Sequence, residues 1–248
     1  MYALFDRFAG RYDLHTPPDH YRHDHAFVLE TAAALGPPCR MLDIGCGTGI
    51  LLEKALRTGV LAEGIDASPA MVSVARERVG DSAVGLRRMQ DIENEASYDL
   101  IVALSWTLNY CANRDELRDV LERVERALRP GGRVLLQVAH ALHADGEQME
   151  DLEPGPTGTE NDVVFRYRFV SLDPQGVEMR AEYTYACASL NERLREDHVL
   201  HVTDVRVVAQ LVGEVGFEGV ETYDSWRRDP FTQSASPIVV GKKRRPGP

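Results

Sequence analysis

Three glycines alternate with other residues at the end of a short apolar run, in the segment M-L-D-I-G-C-G-T-G of residues 41–49. Bare backbone at Gly45, Gly47 and Gly49 lets a ligand approach the chain closely where a strand ends and a helix opens. The dinucleotide fingerprint G-x-G-x-x-G would need a further glycine at position 50, which is Ile50. The pattern therefore predicts a ligand site and disfavours a pyrophosphate site.

Asp66 ends the next apolar run, 17 residues beyond Gly49. A carboxylate at this place in a Rossmann-like chain can accept hydrogen bonds from two ribose hydroxyls. The alternative is a helix N-cap, for which Ser68 competes. The glycine turn before it favours the ribose role.

The elements that position these residues alternate along the first part of the chain. Strands are predicted at 40–44, 60–65, 98–104 and 133–139, with helices at 26–35, 51–56, 70–79 and 115–128. Such alternation indicates a parallel sheet with crossover helices. After residue 140 the pattern changes: 140–162 is polar and is predicted as loop. Period-two alternation at 163–172, 177–185 and 193–202 predicts antiparallel strands, and a helix at 204–215 precedes closing strands at 219–223 and 237–240.

Composition excludes several classes of protein. The 248 residues are 44% hydrophobic and 27% charged, which is typical of a globular chain with its own core. The net charge of −11 disfavours a nucleic-acid partner. Four separated cysteines without a C-x-x-C pair, no signal peptide and no long apolar run predict a reduced cytoplasmic protein with no metal site and no membrane contact. A homodimer is left open.

The motifs together point to a family. D-I-G-C-G-T-G, E-G-I-D-A-S-P-A-M, Asp91-Ile92, Y-D-L-I-V-A-L and L-R-P-G-G-R-V-L-L, in this order, resemble the class I S-adenosylmethionine-dependent methyltransferases. The resemblance runs from about Tyr12 to Ala139, and the late helix and closing strands also fit. It implies an α/β fold: a Rossmann-like seven-stranded, mostly parallel sheet with helices on both faces and an antiparallel β cap inserted after strand five. We expect the core at 1–139 and 202–248, and the cap at 140–201.

The resemblance also implies a cofactor, S-adenosyl-L-methionine, and residues that hold it. The acidic residue after strand two would bind the ribose, the acidic-apolar pair would bind the adenine, and the segment F-A-G-R-Y-D would close over the cofactor. The predicted cofactor-binding residues are Tyr12, Tyr21, Asp43, Gly45, Cys46, Gly47, Asp66, Ala67, Met71, Asp91, Ile92 and Leu104.

Candidates for the acceptor side follow from position. His140 and His143 come after the fifth strand, at the edge of the sheet where ligands bind, and His140 is the predicted catalytic base. His198 and His201, three apart on a strand, must point to opposite faces, so at most one reaches a pocket. The cluster His20, His23 and His25 could suggest a metal but is better explained as a solvated helix start. The predicted substrate-binding residues are Trp106, Asn109, Tyr110, Arg166, Arg168 and His198, with the two arginines as a cationic face for an anionic acceptor.

Three functions remain open at this point. We favour methyl transfer to the nitrogen of a small molecule, a nucleotide-linked amino sugar or related amine of secondary metabolism such as antibiotic biosynthesis. That acceptor needs only to be delivered unprotonated. A hydroxyl acceptor with a histidine base is the alternative, because its high pKa requires a base. A non-catalytic cofactor-binding or scaffolding protein is the alternative from another class.

Overall fold

A computed structural model describes residues 2–15, 19, 21–141, 148–152, 158–159, 162–172 and 177–245. Its strands are β1 (Arg40–Ile44), β2 (Leu61–Asp66), β3 (Val84–Leu86), β4 (Tyr98–Ala103), β5 (Leu128–Gln137), β6 (Gln148–Leu152), β7 (Val163–Ser171), β8 (Glu178–Cys187), β9 (Glu192–His201), β10 (Phe217–Tyr223) and β11 (Ile238–Lys243). Its α-helices are α1 (Tyr12–His15), α2 (Arg22–Leu35), α3 (Ile50–Arg57), α4 (Pro69–Val79), α5 (Arg114–Ala127) and α6 (Val205–Glu214). None of these helices is long and apolar enough to cross a membrane.

Seven strands form one twisted sheet in the order β10-β11-β5-β4-β1-β2-β3. β1 pairs in parallel with β2 and β4, and β4 pairs in parallel with β5, whereas β11 runs antiparallel to both β5 and β10. Helices α2, α3 and α4 pack on one face of the sheet, and α5 and α6 pack on the other. This confirms the predicted Rossmann-like, mostly parallel sheet with helices on both faces.

A second, antiparallel sheet follows β5 in the chain, with the order β6-β7-β8-β9. We call it the cap. Its inner face carries aromatic and aliphatic side chains, and Phe165, Tyr185 and Leu200 pack there against Leu4 and Phe8. The stretch from Tyr2 to His15, which we call the lid segment, therefore lies between the cap and the main sheet. The predicted cap is confirmed as an antiparallel sheet after strand five.

Local differences from the sequence predictions have simple causes. β5 begins directly after α5, so Pro130, Gly131 and Gly132 lie within a strand rather than in a helix-ending turn, and the pairing of β4 with β5 shifts register there. Part of the stretch predicted as loop is strand β6, because its backbone pairs with β7 although its sequence is polar. β3, with three residues, is too short to leave a periodic signal.

Candidate cofactor and acceptor site

A cavity of about 370 Å³ lies at the carboxyl edge of β1, β2 and β4. This is the edge at which open α/β sheets bind ligands. The floor of the cavity is formed by the glycine turn after β1 and by the residues that end β2. The side toward the cap is aromatic, and its rings belong to Tyr2, Phe5, Tyr12, Tyr21 and Tyr110.

The glycine turn has the conformation that its composition predicts. Gly45 and Gly47 have φ values of +71° and +53°, in the left-handed region that favours glycine. A Cβ at Gly45 would lie 2.4 Å from Oγ1 of Thr107, whereas a Cβ at Gly47 would project into open space. Gly47 thus leaves room on the cavity wall that any side chain would fill.

Asp66 is held toward this turn by backbone donors. The N–H of Gly47 donates to Oδ2 at 3.0 Å, and the N–H of Ser68 donates to Oδ1 at 2.8 Å. Ser68 itself caps α4, because its Oγ accepts from the N–H of Met71 at 3.2 Å. Since a carboxylate offers about four lone-pair sites, Asp66 keeps acceptor capacity for ligand hydroxyls. The structure thus assigns the cap of α4 to Ser68 rather than to Asp66.

Asp43 is the second carboxylate of the cavity floor, and it is only 4% exposed. Burial, with a contribution from the charge of Asp66, raises its pKa to about 7. Burial also raises the pKa of Asp66, against the backbone N–H groups of Ser68 and Gly47. Two crowded carboxyl groups favour a ligand that carries positive charge and hydroxyl donors.

The lid segment is tied to the glycine turn by Asp13. Its Oδ1 accepts from Oγ1 of Thr48 at 2.6 Å, and its Oδ2 forms an ion pair with Nη2 of Arg78 at 2.5 Å. Tyr12, one residue earlier, is therefore placed in the cavity wall, where burial raises its pKa well above the usual value.

Most of the predicted cofactor residues lie in the wall of this one cavity. They are Tyr12, Tyr21, Asp43, Gly45, Cys46, Gly47, Asp66, Ala67, Met71 and Leu104. Asp91 and Ile92 do not line it: Asp91 is exposed, and Ile92 is buried in the core beneath α5. Arg87 and Met89, which lie just before them in the chain, line the cavity instead.

The structure places His140, the predicted catalytic base, outside the wall of this cavity. The ring is 8% exposed and does not line the cavity. Its Nδ1 accepts from the N–H of Val205 at 3.3 Å, and its ring packs edge-on against Phe231. His140 therefore stabilises the start of α6. His20 and His143 lie outside the described residues.

Asn109 and Trp106 also have structural roles. The Asn109 amide donates to the carbonyl of His201 at 3.0 Å and accepts from the N–H of Ala139 at 2.8 Å, so it joins the cap to the main sheet. Trp106 donates from Nε1 to Oγ of Ser236 at 2.9 Å and does not line the cavity. Neither side chain lines this cavity, so their predicted contact with the substrate stays a prediction.

The cationic face of the cap points away from the cavity. Alternation along β7 places Arg166 and Arg168 on the side of the sheet opposite to Phe165 and Tyr183, which face the lid segment. Arg166 is exposed, and Nη2 of Arg168 forms an ion pair with Glu182 at 2.7 Å. These arginines therefore do not line this cavity, and their predicted contact with an anionic acceptor stays a prediction.

Tyr110 and His198 lie together at the aromatic end. The Tyr110 ring lines the cavity, and its hydroxyl is 2.6 Å from Nδ1 of His198. His198 is fully buried, whereas His201 is partly exposed beside Glu178. This confirms that the two histidines point to opposite faces and that only His198 comes near the pocket.

Several cavity residues were not predicted. His25, placed by the sequence on a solvated helix start, lines the cavity, and burial next to Lys54 lowers its pKa to about 4. Tyr2 and Phe5 were missed as well, although the aromatic spacing of Y-A-L-F-D-R-F could have indicated an amphipathic segment. No cluster of three metal-binding side chains occurs among the described residues.

Comparison with known proteins identifies a methyltransferase domain in the part of the chain that forms the floor of the cavity. A family model for a methyltransferase domain matches residues 41–132. A protein of Geobacillus sp. strain WCH70 named as a methyltransferase is 27% identical over 216 residues, covering 82% of this chain and 84% of that protein. The dTDP-4-amino-2,3,4,6-tetradeoxy-D-glucose N,N-dimethyltransferase of Saccharopolyspora spinosa is 31% identical over 97 residues, 39% of each chain.

Solved structures share the fold across nearly the whole chain. A S-adenosylmethionine-dependent methyltransferase from Clostridium acetobutylicum has a TM-score of 0.77 at 16% identity, covering 96% of this chain and 98% of that one. The sugar N-methyltransferase KedS8 from Streptoalloteichus sp. has a TM-score of 0.71 at 22% identity, covering 89% and 87%. CalS10 from Micromonospora echinaspora, an amino pentose methyltransferase involved in calicheamicin biosynthesis and solved with S-adenosylmethionine bound, has a TM-score of 0.67 at 21% identity, covering 91% and 95%.

The glycine turn, the two carboxyl groups and the aromatic lid fit a cofactor that carries a sulfonium, an amino group and a ribose. The motif order, the fold and the matched methyltransferase domain agree with that fit. Residues 41–132 therefore form a methyltransferase domain, and the enzyme is an S-adenosylmethionine-dependent methyltransferase with S-adenosylmethionine as its cofactor.

Proposed function

We propose that this enzyme methylates the nitrogen of a small amine, an amino sugar of secondary metabolism in particular. The observation that carries the proposal is the aromatic end of the cavity, formed by Tyr2, Phe5, Tyr12 and Tyr110. Aromatic faces attract cationic ammonium groups, and they also cover the apolar face of a sugar ring.

Within the proposed site, the cofactor is held by the floor of the cavity. Asp66 would accept from ribose hydroxyls, and Gly45 and Gly47 would let the cofactor lie against the backbone. Tyr12 would cover it from the lid segment, and Tyr21 from the start of α2. The cofactor supplies an already activated methyl group, so the main contribution of the chain is to align the acceptor with it.

Support for an amino sugar also comes from the relatives. The S. spinosa relative is named for a nucleotide-linked amino sugar, and KedS8 and CalS10 are named for sugar substrates. Only the name of the S. spinosa relative supports a sugar that is linked to a nucleotide. The cap arginines add no support for it, because they face away from the cavity. The involvement of CalS10 in calicheamicin biosynthesis supports a place in antibiotic biosynthesis.

Methylation of a hydroxyl is a second candidate, favoured by the contact between Tyr110 and His198. A buried histidine that reaches the cavity through a phenol is the kind of base that a hydroxyl acceptor needs. His140, the base expected from the sequence, is engaged at α6 and does not serve this candidate.

A matched pair of acceptors separates the two candidates. The purified enzyme is incubated with methyl-tritiated S-adenosylmethionine and either dTDP-4-amino-2,3,4,6-tetradeoxy-D-glucose or the same compound with a hydroxyl in place of the amine. We expect label in the amine compound and an N-methyl product by mass spectrometry. Label in the hydroxyl compound alone would establish O-methylation, and label in neither would remove the amino-sugar proposal.

A further inference from the structure

A hydrogen-bonded chain of three side chains leads from the aromatic end of the cavity into the cap. Tyr110 lines the cavity, and its hydroxyl lies 2.6 Å from Nδ1 of His198. Nε2 of His198 lies 3.1 Å from Oε2 of Glu196. We propose that Tyr110, His198 and Glu196 form a proton relay that removes the proton of the acceptor, with Tyr110 as the group that touches it.

The protonation state of Glu196 sets the direction of the hydrogen bonds between these three side chains. Its carboxyl oxygens accept from the N–H groups of Ala3 at 2.6 Å and Leu4 at 3.0 Å. Burial alone would raise its pKa, but these donors and His198 outweigh burial, and the pKa lies below the usual value. Glu196 is therefore ionised and can only accept hydrogen bonds. Nε2 of His198 must then carry a proton, which it donates in the hydrogen bond to Glu196.

The tautomer of His198 then follows. Burial lowers its pKa, against the opposing effect of Glu196, so the imidazole is neutral at neutral pH. A neutral ring with its proton on Nε2 has a free lone pair on Nδ1. The Tyr110 hydroxyl therefore donates to Nδ1. This is the arrangement in which a carboxylate orients a histidine for a proton arriving at its other nitrogen.

The Tyr110 oxygen keeps one lone pair for a ligand. Tyr183 also interacts with the Tyr110 hydroxyl, and since a hydroxyl oxygen has two lone pairs, this contact occupies at most one of them. Among the described residues, no third hydrogen bond to this oxygen is found. Since the ring lines the cavity, the remaining lone pair is available to an acceptor proton.

Groups from every neighbouring element face His198. They are Tyr2 of the lid segment, Tyr110 after β4, Tyr183 of β8, and Glu196 and Asp197 of β9. Two of them are carboxylates, which stabilise the imidazolium that forms when a proton arrives. The His198 ring itself is fully buried among them.

The inference rests on the proposed function, because an amine or hydroxyl must enter the aromatic end. For an ammonium acceptor, its proton passes to the Tyr110 oxygen as the Tyr110 proton passes to Nδ1 of His198. The nitrogen lone pair thus released forms the new N–C bond, and the electron pair of the C–S bond stays on sulfur. The products are the methylated ammonium, S-adenosylhomocysteine and a proton on His198, which must return to solvent before the next turnover.

The first test needs no acceptor. Nitrogen NMR of 15N-histidine-labelled enzyme bound to S-adenosylhomocysteine reports which ring nitrogen of His198 is protonated. We expect protonated Nε2 and unprotonated Nδ1, and Tyr110→Phe should shift the Nδ1 resonance while leaving Nε2 in place. A proton on Nδ1 would overturn the relay, since His198 could then not accept from Tyr110.

The second test uses the pH–rate profile with whichever of the two dTDP probes is methylated. We expect Tyr110→Phe and His198→Gln to lower kcat about a hundredfold near pH 7, the usual worth of acid–base assistance. The defect should shrink above the pKa of an amine acceptor, because the substrate is then already deprotonated. His201→Gln is the matched control, a histidine beside a carboxylate on the same strand but the other face, and its profile should match wild type.

The possible failures can be told apart. A wild-type enzyme that methylates neither probe contradicts the proposed function. The NMR result then still shows whether His198 can accept a proton from Tyr110. An active wild type whose Tyr110 and His198 variants keep its pH profile contradicts the relay and leaves the proposed function standing. A purely structural role would lower the melting temperature of these variants without any change in pH dependence.

Discussion

The ring of Tyr2 lies flat against the ring of His198, with 3.6 Å between centroids and 19° between planes. This contact joins the lid segment to the cap, and Glu196 strengthens it by accepting from the next two backbone N–H groups. Because Tyr2 also lines the cavity, the lid, the cap and the ligand site are coupled through one stacked pair.

Removing the Tyr2 ring should loosen the closed site. We expect Tyr2→Ala to weaken S-adenosylhomocysteine binding by about tenfold, since a stacked, half-buried ring contributes on the order of 1 kcal/mol beyond its area. Tyr2→Phe keeps the ring and should bind within a factor of about two of wild type, a shift too small to count as a lost contact. Calorimetry measures both, and equal affinities for the two variants would show that the stack does not hold the site closed.

Asp66 should carry a large part of cofactor affinity. Loss of a charge-assisted hydrogen-bond partner costs on the order of 1–3 kcal/mol, so Asp66→Ala should weaken S-adenosylhomocysteine binding by that amount. Asp81→Ala removes an exposed carboxylate next to α4 and is the control. Unchanged calorimetric affinity in Asp66→Ala would refute the ribose assignment.

The buried carboxyl of Asp43 should make the stability of the ligand-free protein depend on pH. Its pKa is about 7 in the folded chain and about 4 in an unfolded one, so folding favours the protonated form. Its contribution to the free energy of unfolding is thus fully present below pH 4 and is lost as pH rises to 7. The loss approaches 1.4 kcal/mol for each unit of pKa shift.

Urea unfolding of wild type and Asp43→Asn at pH 5 and pH 7.5 tests this. The neutral amide cannot ionise, so we expect the variant to lose much less stability between the two pH values than wild type does. Parallel curves for the two proteins would show that Asp43 does not titrate in this range.

Binding of the cationic cofactor should also release a proton near pH 6, which calorimetry in buffers of different ionisation enthalpy detects.

The main sheet, and the gathering of most of the predicted cofactor residues around one cavity, could be predicted from the sequence for a local reason. Gly45, Gly47 and Asp66 lie at the ends of adjacent strands, and strand order in a parallel sheet brings such ends together. Alternation also revealed the cap strands. The domain boundaries at 139/140 and 201/202 stay a prediction.

The residues on the acceptor side of the cavity could not be predicted from the sequence in the same way. Alternation shows that Arg166 and Phe165 face opposite sides of the cap, but which side meets the cavity depends on how the cap docks. His140 and His198 look alike in sequence, yet one packs against Phe231 and the other against Tyr2. Glu196 became visible only through its contacts with Ala3 and Leu4, 193 and 192 residues away in the chain.

Asn109 should matter for stability rather than for binding. Its buried amide satisfies the Ala139 N–H and the His201 carbonyl, and Asn109→Ala would leave both without that partner. We expect a loss of about 2–4 kcal/mol in the free energy of unfolding, since a buried unsatisfied group costs about 1–3 kcal/mol. Asn113→Ala, which removes the N-cap of α5, should cost about 1 kcal/mol. A large loss of ligand affinity in a stably folded Asn109→Ala protein would support its predicted binding role.

The orientation of the cap arginines gives a last prediction about the acceptor. Arg168 is paired with Glu182 on the outer face, whereas Arg87 lines the cavity near Met89. Replacing both Arg166 and Arg168 by Gln should therefore leave the KM for the methylated dTDP probe within a factor of about two of wild type, as expected for exposed or surface-paired charges. Arg87→Gln is the contrasting variant, because it changes a charge in the cavity wall, and it should alter cofactor or acceptor affinity. If the double variant instead raised KM tenfold or more while Arg87→Gln had no effect, a nucleotide group would have to bind across the outer face of the cap.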